Sequence, residues 1–252
     1  MACVRKKQMI IETKEQENKP SGAEVIATLA DAQLNNPGEG KVLYIQGVKN
    51  NWNWRSMCYA SQNFRAYYTM QLFDARVNLT KKALAKVMEE GFVPRNYFKS
   101  IKTVASFGCG PGCDLYGFKA FLAEAFPFSS RGKLSPRMTG YDVELGWMNY
   151  LLSLGFDFEH LEVNEAFLNE FSEADVILMS FCTKEILREF NSRGSSKFWK
   201  LLTEKAKLLL IIDNAKSSTD DFPSEKEEFE RFYLNDILGN KAVVYSKFTA
   251  AE

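Results

Sequence analysis

Ser106-Phe107-Gly108-Cys109-Gly110-Pro111-Gly112-Cys113-Asp114 decides how the other residues of this 252-residue chain are read. A short β-type run, TVASFG (103–108), leads into it, and a helical pattern, LYGFKAFLAEAF (115–126), leads out. Glycines at alternate positions let the backbone turn sharply and let a ligand come close to it. The helix that follows presents free N–H groups and the positive end of its dipole. In an open α/β sheet, ligands bind at this carboxyl edge of the strands. No Lys-Ser or Lys-Thr follows the turn, so it is not a P-loop, and the GxGxG spacing differs from the dinucleotide fingerprint GxGxxG.

Downstream, RMTGYDV (137–143) reads as a second strand with Asp142 at its tip, where a carboxylate can accept hydrogen bonds from both hydroxyls of a ribose. The same aspartate could instead cap the helix ELGWMNYLLSLG (144–155), and the two roles draw on the same oxygens. FDFEHLEV (156–163) alternates like a strand, and NEAFLNEF (164–171) is a short helix. ADVILMSFC (174–182) and KLLLIIDN (207–214) are continuously apolar, as buried parallel strands are. TKEILREF (183–190) and SKFWKLLTEKA (196–206) are helical between them. SEKEEFERFYLNDI (224–237) reads as a helix and KAVVYSKF (241–248) as a last strand. Strands alternating with helices predict an α/β, Rossmann-like fold: a mostly parallel sheet with helices on both faces.

Upstream the pattern is helical and aromatic. Residues 23–33 form a helix, NNPGEG (35–40) a loop, and VLYIQG (42–47) a short strand or extended arm. Residues 50–53 are turn-like. Residues 55–77, rich in Tyr and Phe, make one or two helices, and 79–90 a further helix capped by Thr80 and stopped at Gly91. The expected organisation is a disordered tail over 1–21, a helical N-terminal cap or lid over 22–100, and the Rossmann-like domain over 101–252.

Composition narrows the chemistry. Apolar residues make up 46% and charged residues 25%, with zero formal net charge, which argues against an overall basic nucleic-acid footprint. Five cysteines, irregularly spaced and without a secretory signal, read as reduced thiols of a cytoplasmic or nuclear protein. No apolar run approaches the roughly 18–20 residues that span a bilayer, so no membrane partner is expected. A single histidine, His160, rules out sites built on two or three His ligands and reads as a strand-end or surface residue. Cys109 and Cys113 have no second pair, so no metal is expected.

GCGPG after a short strand, with an acid ending the second strand, resembles the class I S-adenosylmethionine-dependent methyltransferases over residues 80–248. The resemblance implies a site for S-adenosylmethionine and its product S-adenosylhomocysteine. Gly108, Gly110 and Gly112 would line its methionine and ribose parts, with Ser106, Cys109, Pro111 and Asp114 around them. Asp142 would hold the ribose and Val143 pack on the adenine, whose edge would lie near Val163 and Asn164. Ser180, Phe181 and Cys182 would flank the methyl group and the acceptor. In three respects the chain departs from the family: Ser106 stands where an acid is usual, the linker between the glycine turn and Asp142 is lengthened by the 127–138 loop, and only one strand can be read after the last helix, where a strand hairpin is usual.

Methyl transfer asks mainly for alignment, so catalytic residues leave faint traces, and no residue is assigned as general base. The 174–182 run resembles that of small-molecule amine N-methyltransferases, which favours a small acceptor over RNA or protein. Arg76 is a candidate partner for the cofactor carboxylate, with Tyr67 and Tyr68 nearby. Arg131, Lys133 and Arg137 would be the basis of an RNA methyltransferase reading. Ser106 and the short C-terminal tail would be the basis of another, in which an inactive methyltransferase-like subunit binds or stabilises a partner.

Overall fold

A computed structural model describes residues 21–49, 59–127, 135–189, 195–214, 230–237 and 240–246. In chain order the elements are α1 (Gly22–Gln33), α2 (Pro37–Lys49), α3 (Gln62–Glu89), α4 (Arg95–Phe98), β1 (Thr103–Phe107), α5 (Cys113–Ala125) and β2 (Arg137–Asp142). A 3-10 turn (Leu145–Trp147) precedes α6 (Met148–Ser153). Then come β3 (Asp157–His160), α7 (Glu165–Glu170), β4 (Ala174–Ser180), α8 (Thr183–Glu189), α9 (Ser195–Glu204), β5 (Ala206–Asn214), β6 (Glu230–Ile237) and β7 (Asn240–Ser246).

The strands form one sheet in the order β3-β2-β1-β4-β5-β7-β6. The first five are parallel, and β7 runs antiparallel to both β5 and β6. Successive side chains of a strand point to opposite faces, so each central strand feeds two cores. Val104, Val176, Leu178, Leu208, Leu210 and Ile212 pack with α1, α3, α5 and α6. Ala105, Phe107, Ile177, Met179, Leu209 and Ile211 pack with α7, α8 and α9. This double burial explains why 174–180 and 207–212 are continuously apolar. The expected fold class is the one found.

Four upstream expectations change. The 42–47 stretch is neither strand nor arm but the body of α2. Asn36 accepts the Glu39 amide at 3.1 Å, and Pro37 takes the first helical position, where its missing N–H costs nothing. NNPGEG is thus largely a helix start rather than a loop. Residues 62–89 form one unbroken helix, capped by Ser61, whose hydroxyl accepts the Phe64 amide at 3.3 Å. Thr80 is not a cap; it lies buried in mid-helix. A Cβ at Gly117 would sit 2.8 Å from Thr80 Cβ and 2.7 Å from the Val77 carbonyl oxygen, so α3 and α5 cross in close contact there.

The last correction is at the C-terminal end. Residues 230–237 are a strand, not a helix, and pair antiparallel with β7, Phe232 opposite Val244 and Leu234 opposite Ala242. The charged run before them favours helix locally, but a ladder partner at the open edge of β7 outweighs that preference. The strand hairpin that the sequence had not revealed is therefore present. Expectations for residues 1–20, 50–58, 128–134 and 215–229, including Arg131 and Lys133, lie outside the described residues. Among the described residues no helix is long and apolar enough to cross a membrane.

Candidate functional site

The glycine turn lies over the carboxyl ends of β1 and β2. The Gly108 and Cys109 amides both donate to the Tyr141 carbonyl, at 2.9 and 3.2 Å, which ties the turn to β2. Gly108 has φ +64°, and a Cβ there would meet the Cys182 side chain, so the end of β4 closes on the turn from the other side. Gly110 has φ +51°, and a Cβ there would meet nothing within 4 Å. The backbone is thus left-handed and open where a ligand would come closest to it. Gly112 caps α5 in the left-handed conformation, and Pro111 is buried beside it.

Asp142 ends β2 and clamps the turn. Its Oδ2 accepts the Gly110 amide at 2.9 Å and its Oδ1 the Glu144 amide at 2.9 Å. It does not cap the next helix; Glu144 does, accepting the Gly146 amide at 2.9 Å. Each carboxylate oxygen has two acceptor sites, so Asp142 keeps capacity for two further donors. Burial pushes its pKa up to about 6, against the Glu144 and Gly110 amides, which favour the charged form.

Asp114 opens α5 on the other side of the turn. It is buried, accepts the Ser106 hydroxyl at 2.7 Å and its neighbour Leu115's amide at 2.8 Å. Burial raises its pKa to about 6 as well, and the Ser106 bond opposes that shift. The chain thus carries a carboxylate within hydrogen-bond distance of the position where the sequence shows serine.

Ser180 ends β4, and Phe181 follows with φ +59°, an outlier for a bulky residue. Its ring lies 4.3 Å from the Arg76 guanidinium carbon, which is also 5.2 Å from the Tyr68 ring. Burial works against the Arg76 charge, but Tyr68, Cys113, Tyr59 and Tyr44 outweigh it and hold the pKa above the usual arginine value. Among the described residues Arg76 forms no ion pair. Cys182 is buried, its thiol pushed well up by burial and donating to the Phe107 carbonyl at 3.1 Å, which fits packing and not a nucleophile.

The outer positions are less uniform. Val143, just past Asp142, is 43% exposed, as a surface for a flat ring must be. Asn164 caps α7, its side-chain oxygen accepting the Phe167 amide at 3.0 Å, and Val163 is buried in the core on the α7 face. His160 is exposed, with Nε2 2.8 Å from the Val143 carbonyl. A cavity of about 420 Å³ lies elsewhere, against the first residues of β1, β2 and β4, lined by Ala105, Thr139, Tyr141, Glu159, Phe167 and Phe171 among others. It holds none of the expected site residues and lies away from the carboxyl edge where ligands of such sheets bind. Among the described residues no group of three metal-ligating side chains comes together.

Sequence reasoning missed Arg65 and Glu144, which pair at 3.3 Å behind Asp142. Their 79-residue separation leaves no local pattern to find.

No family model and no curated protein matches the chain. Among solved structures it is similar to WbdD bound to a kinase inhibitor, at 11% identity and TM-score 0.47, over 68% of this chain and 42% of that one. The chain thus spans about two fifths of WbdD. It is similar to an O-methyltransferase family protein from Burkholderia thailandensis (15%, TM-score 0.47, 77% and 62% covered). It is also similar to the plantazolicin methyltransferase BpumL in complex with SAH (12%, TM-score 0.44, 94% and 99% covered). By its sheet order, its terminal hairpin and its glycine turn between β1 and α5, the chain has an α/β, Rossmann-like fold closed by an antiparallel hairpin.

Proposed function

We propose that this chain binds S-adenosylmethionine across the carboxyl ends of β1 and β2 and is a methyltransferase acting on a small molecule. The observation that carries the reading is the clamp of Asp142 on Gly110: an open left-handed turn held against a half-buried carboxylate with spare acceptor capacity. In this reading Asp142 takes the two ribose hydroxyls, the turn from Gly108 to Gly112 lies along the methionine and ribose, and Val143 covers the adenine. Asn164 borders the adenine edge, its side chain held in place by the cap it makes. Asp114, braced by Ser106, supplies near the methionine ammonium the carboxylate that Ser106 itself lacks. Arg76, between Tyr68 and Phe181, takes the methionine carboxylate.

When bound, the cofactor supplies an already activated methyl group, so the protein's part is to align an acceptor with it and keep water away. Ser180 and Phe181 border the acceptor, and the ring of Phe181 gives it a flat wall. The location is cytoplasmic or nuclear, and the helices before β1 serve as the lid.

The inactive-subunit reading rested on Ser106 and on the short C-terminal tail; the Asp114 carboxylate 2.7 Å from Ser106 and the β6–β7 hairpin weaken it. Of the basic residues behind the RNA reading, Arg137 pairs with Asp157 at 2.8 Å, which leaves a small acceptor favoured.

The test is thermal unfolding with S-adenosylhomocysteine. At a hundred times Kd the expected stabilisation is about 2.7 kcal/mol, or roughly 5–10 °C for a chain of this size. Asp142→Ala should lose that shift. No shift in the wild type at millimolar ligand would refute the cofactor, and binding without turnover on any small acceptor would restore the inactive-subunit reading.

A further inference from the structure

Asp142 is the end of a chain of contacts that begins on α3. Arg65 Nη1 donates to the Tyr59 carbonyl at 2.6 Å and lies 3.3 Å from Glu144 Oε1. The two side chains are only 11% and 22% exposed, so water screens the pair little. The same Glu144 oxygen accepts the Gly146 amide, and the Glu144 amide donates to Asp142 Oδ1, both at 2.9 Å. The loop is cut to fit the guanidinium: a Cβ at Gly146 would collide with Arg65 Cζ. Arg65 Nε is buried without a hydrogen-bond partner. An unsatisfied buried donor is destabilising, so an apolar residue would serve α3 better if packing were all that mattered.

We infer that Arg65 is a positioning residue which, through Glu144, fixes the loop that presents the Asp142 carboxylate to a ribose. The ribose rests on the proposed cofactor; the coupling of Arg65 to Asp142 does not. Several groups face Asp142: Glu144 on its own loop, Cys109 from the turn, Cys182 from the end of β4, and Tyr59 and Tyr68 from α3 and its lead-in. Burial pushes those thiols and phenols up, so they are neutral near pH 6. Farther out, Asp114 lies beyond Cys109, Glu185 and Asp213 lie beyond Cys182, and Arg76 is the cation beyond Tyr59 and Tyr68. Glu144 is therefore the adjacent negative charge that opposes ionisation of Asp142, and Arg65 is the cation that balances it.

The experiment is a ¹³C NMR titration of the Asp142 carboxyl in the ligand-free protein. It is paired with calorimetric S-adenosylhomocysteine binding from about pH 5 to about pH 8. Wild type is compared with Arg65→Gln, Arg65→Lys and Glu144→Gln, each checked for folding by its thermal transition. Arg65→Gln should raise the Asp142 midpoint and weaken binding about tenfold at neutral pH. Glu144→Gln, whose amide oxygen can still accept from Gly146, should lower the midpoint and extend binding to more acid pH. Arg65→Lys should recover the midpoint but not the full affinity, because an ammonium lacks the guanidinium fork. If Arg65→Gln does not fold, the downward shift in Glu144→Gln decides. Unmoved midpoints in the folded variants overturn the inference, even if the ligand binds. Shifted midpoints in a protein that binds no S-adenosylhomocysteine uphold the coupling and refute the cofactor.

Discussion

The carboxyl edge of β1 and β2 and the helical layer packed beside it are built on opposite principles. The edge is made of backbone: amides of Gly108, Cys109 and Gly110 bonded to Tyr141 and Asp142, with hardly a bulky side chain involved. The layer is made of side chains from distant parts of the chain. Tyr59 and Tyr68 pack edge-on and tilted against Trp147, at 6.2 and 5.8 Å, and Phe73 lies 5.8 Å from Tyr116. An edge of this kind can bind without adding much stability, and a layer of this kind can stabilise without touching a ligand. Arg65 and Arg76 are exceptions, since both sit on α3 and reach the edge.

Two substitutions should separate the regions. Asp142→Ala removes the clamp and both proposed ribose contacts, so ligand stabilisation should vanish while the unliganded melting temperature changes little or rises. A large fall in that temperature would mean the edge is structural after all. Gly117→Val should do the reverse. The added side chain meets Thr80 and the Val77 carbonyl where α3 crosses α5, and overpacking of this kind costs about 1–3 kcal/mol. Denaturant unfolding should show the loss, and S-adenosylhomocysteine affinity measured well below the melting point should stay within about twofold. An affinity that collapses with stability would merge the two regions into one.

Arg76→Ala falls between them. The guanidinium leaves its place between Tyr68 and Phe181, and affinity for S-adenosylhomocysteine should drop about tenfold for one lost charge-assisted contact. 5′-Methylthioadenosine, which lacks the amino-acid part, should bind wild type and variant alike. Equal losses for both ligands would assign Arg76 to packing.

The same contrast explains what could be read from sequence. The turn, the acid after the second strand and the two continuous apolar strands are short-range signals, each complete within a few residues. What could not be read depends on partners far away. Residues 230–237 carry no strand alternation strong enough to outweigh their charged lead-in, and only the ladder with β7 makes them a strand. Thr80 follows Asn78 and Leu79 in a stretch that reads like a helix start, and only its packing on Gly117 keeps the helix running through. Asp114 was legible as part of the turn, but its bond to Ser106 required the fold of α5 back over β1. Arg65 gave no signal, because a lone arginine in an aromatic helix looks like any solvated one.

The smallest expected effect is also the one that ties edge to layer, because it depends on burial rather than on any one contact. Burial moves Asp142 and Asp114 from 3.8 up to about 6. A carboxyl whose folded pKa is raised binds its proton in the native state before it does in the unfolded one. The ligand-free protein should therefore gain stability as pH falls from about 6 toward about 4, and lose that gain as pH rises back through about 6. Asp175 works in the other direction: although burial raises its pKa, the Lys102 and Thr103 amides and Lys207 pull it lower overall, so its contribution fades only in more acid solution. Ligand binding should show the opposite slope, because a ribose needs Asp142 as an acceptor at both oxygens, and a protonated carboxyl offers less. Melting temperatures with and without S-adenosylhomocysteine should thus converge as pH falls through about 6, the unliganded curve rising to meet the liganded one. Asp114→Asn should leave the Asp142 share of both the rise and the convergence and remove the share that Asp114 adds through the methionine ammonium. Curves that stay parallel across this range would mean that neither carboxyl titrates there, and that Asp142 meets the ribose as an ordinary ionised carboxylate whose charge burial does not oppose.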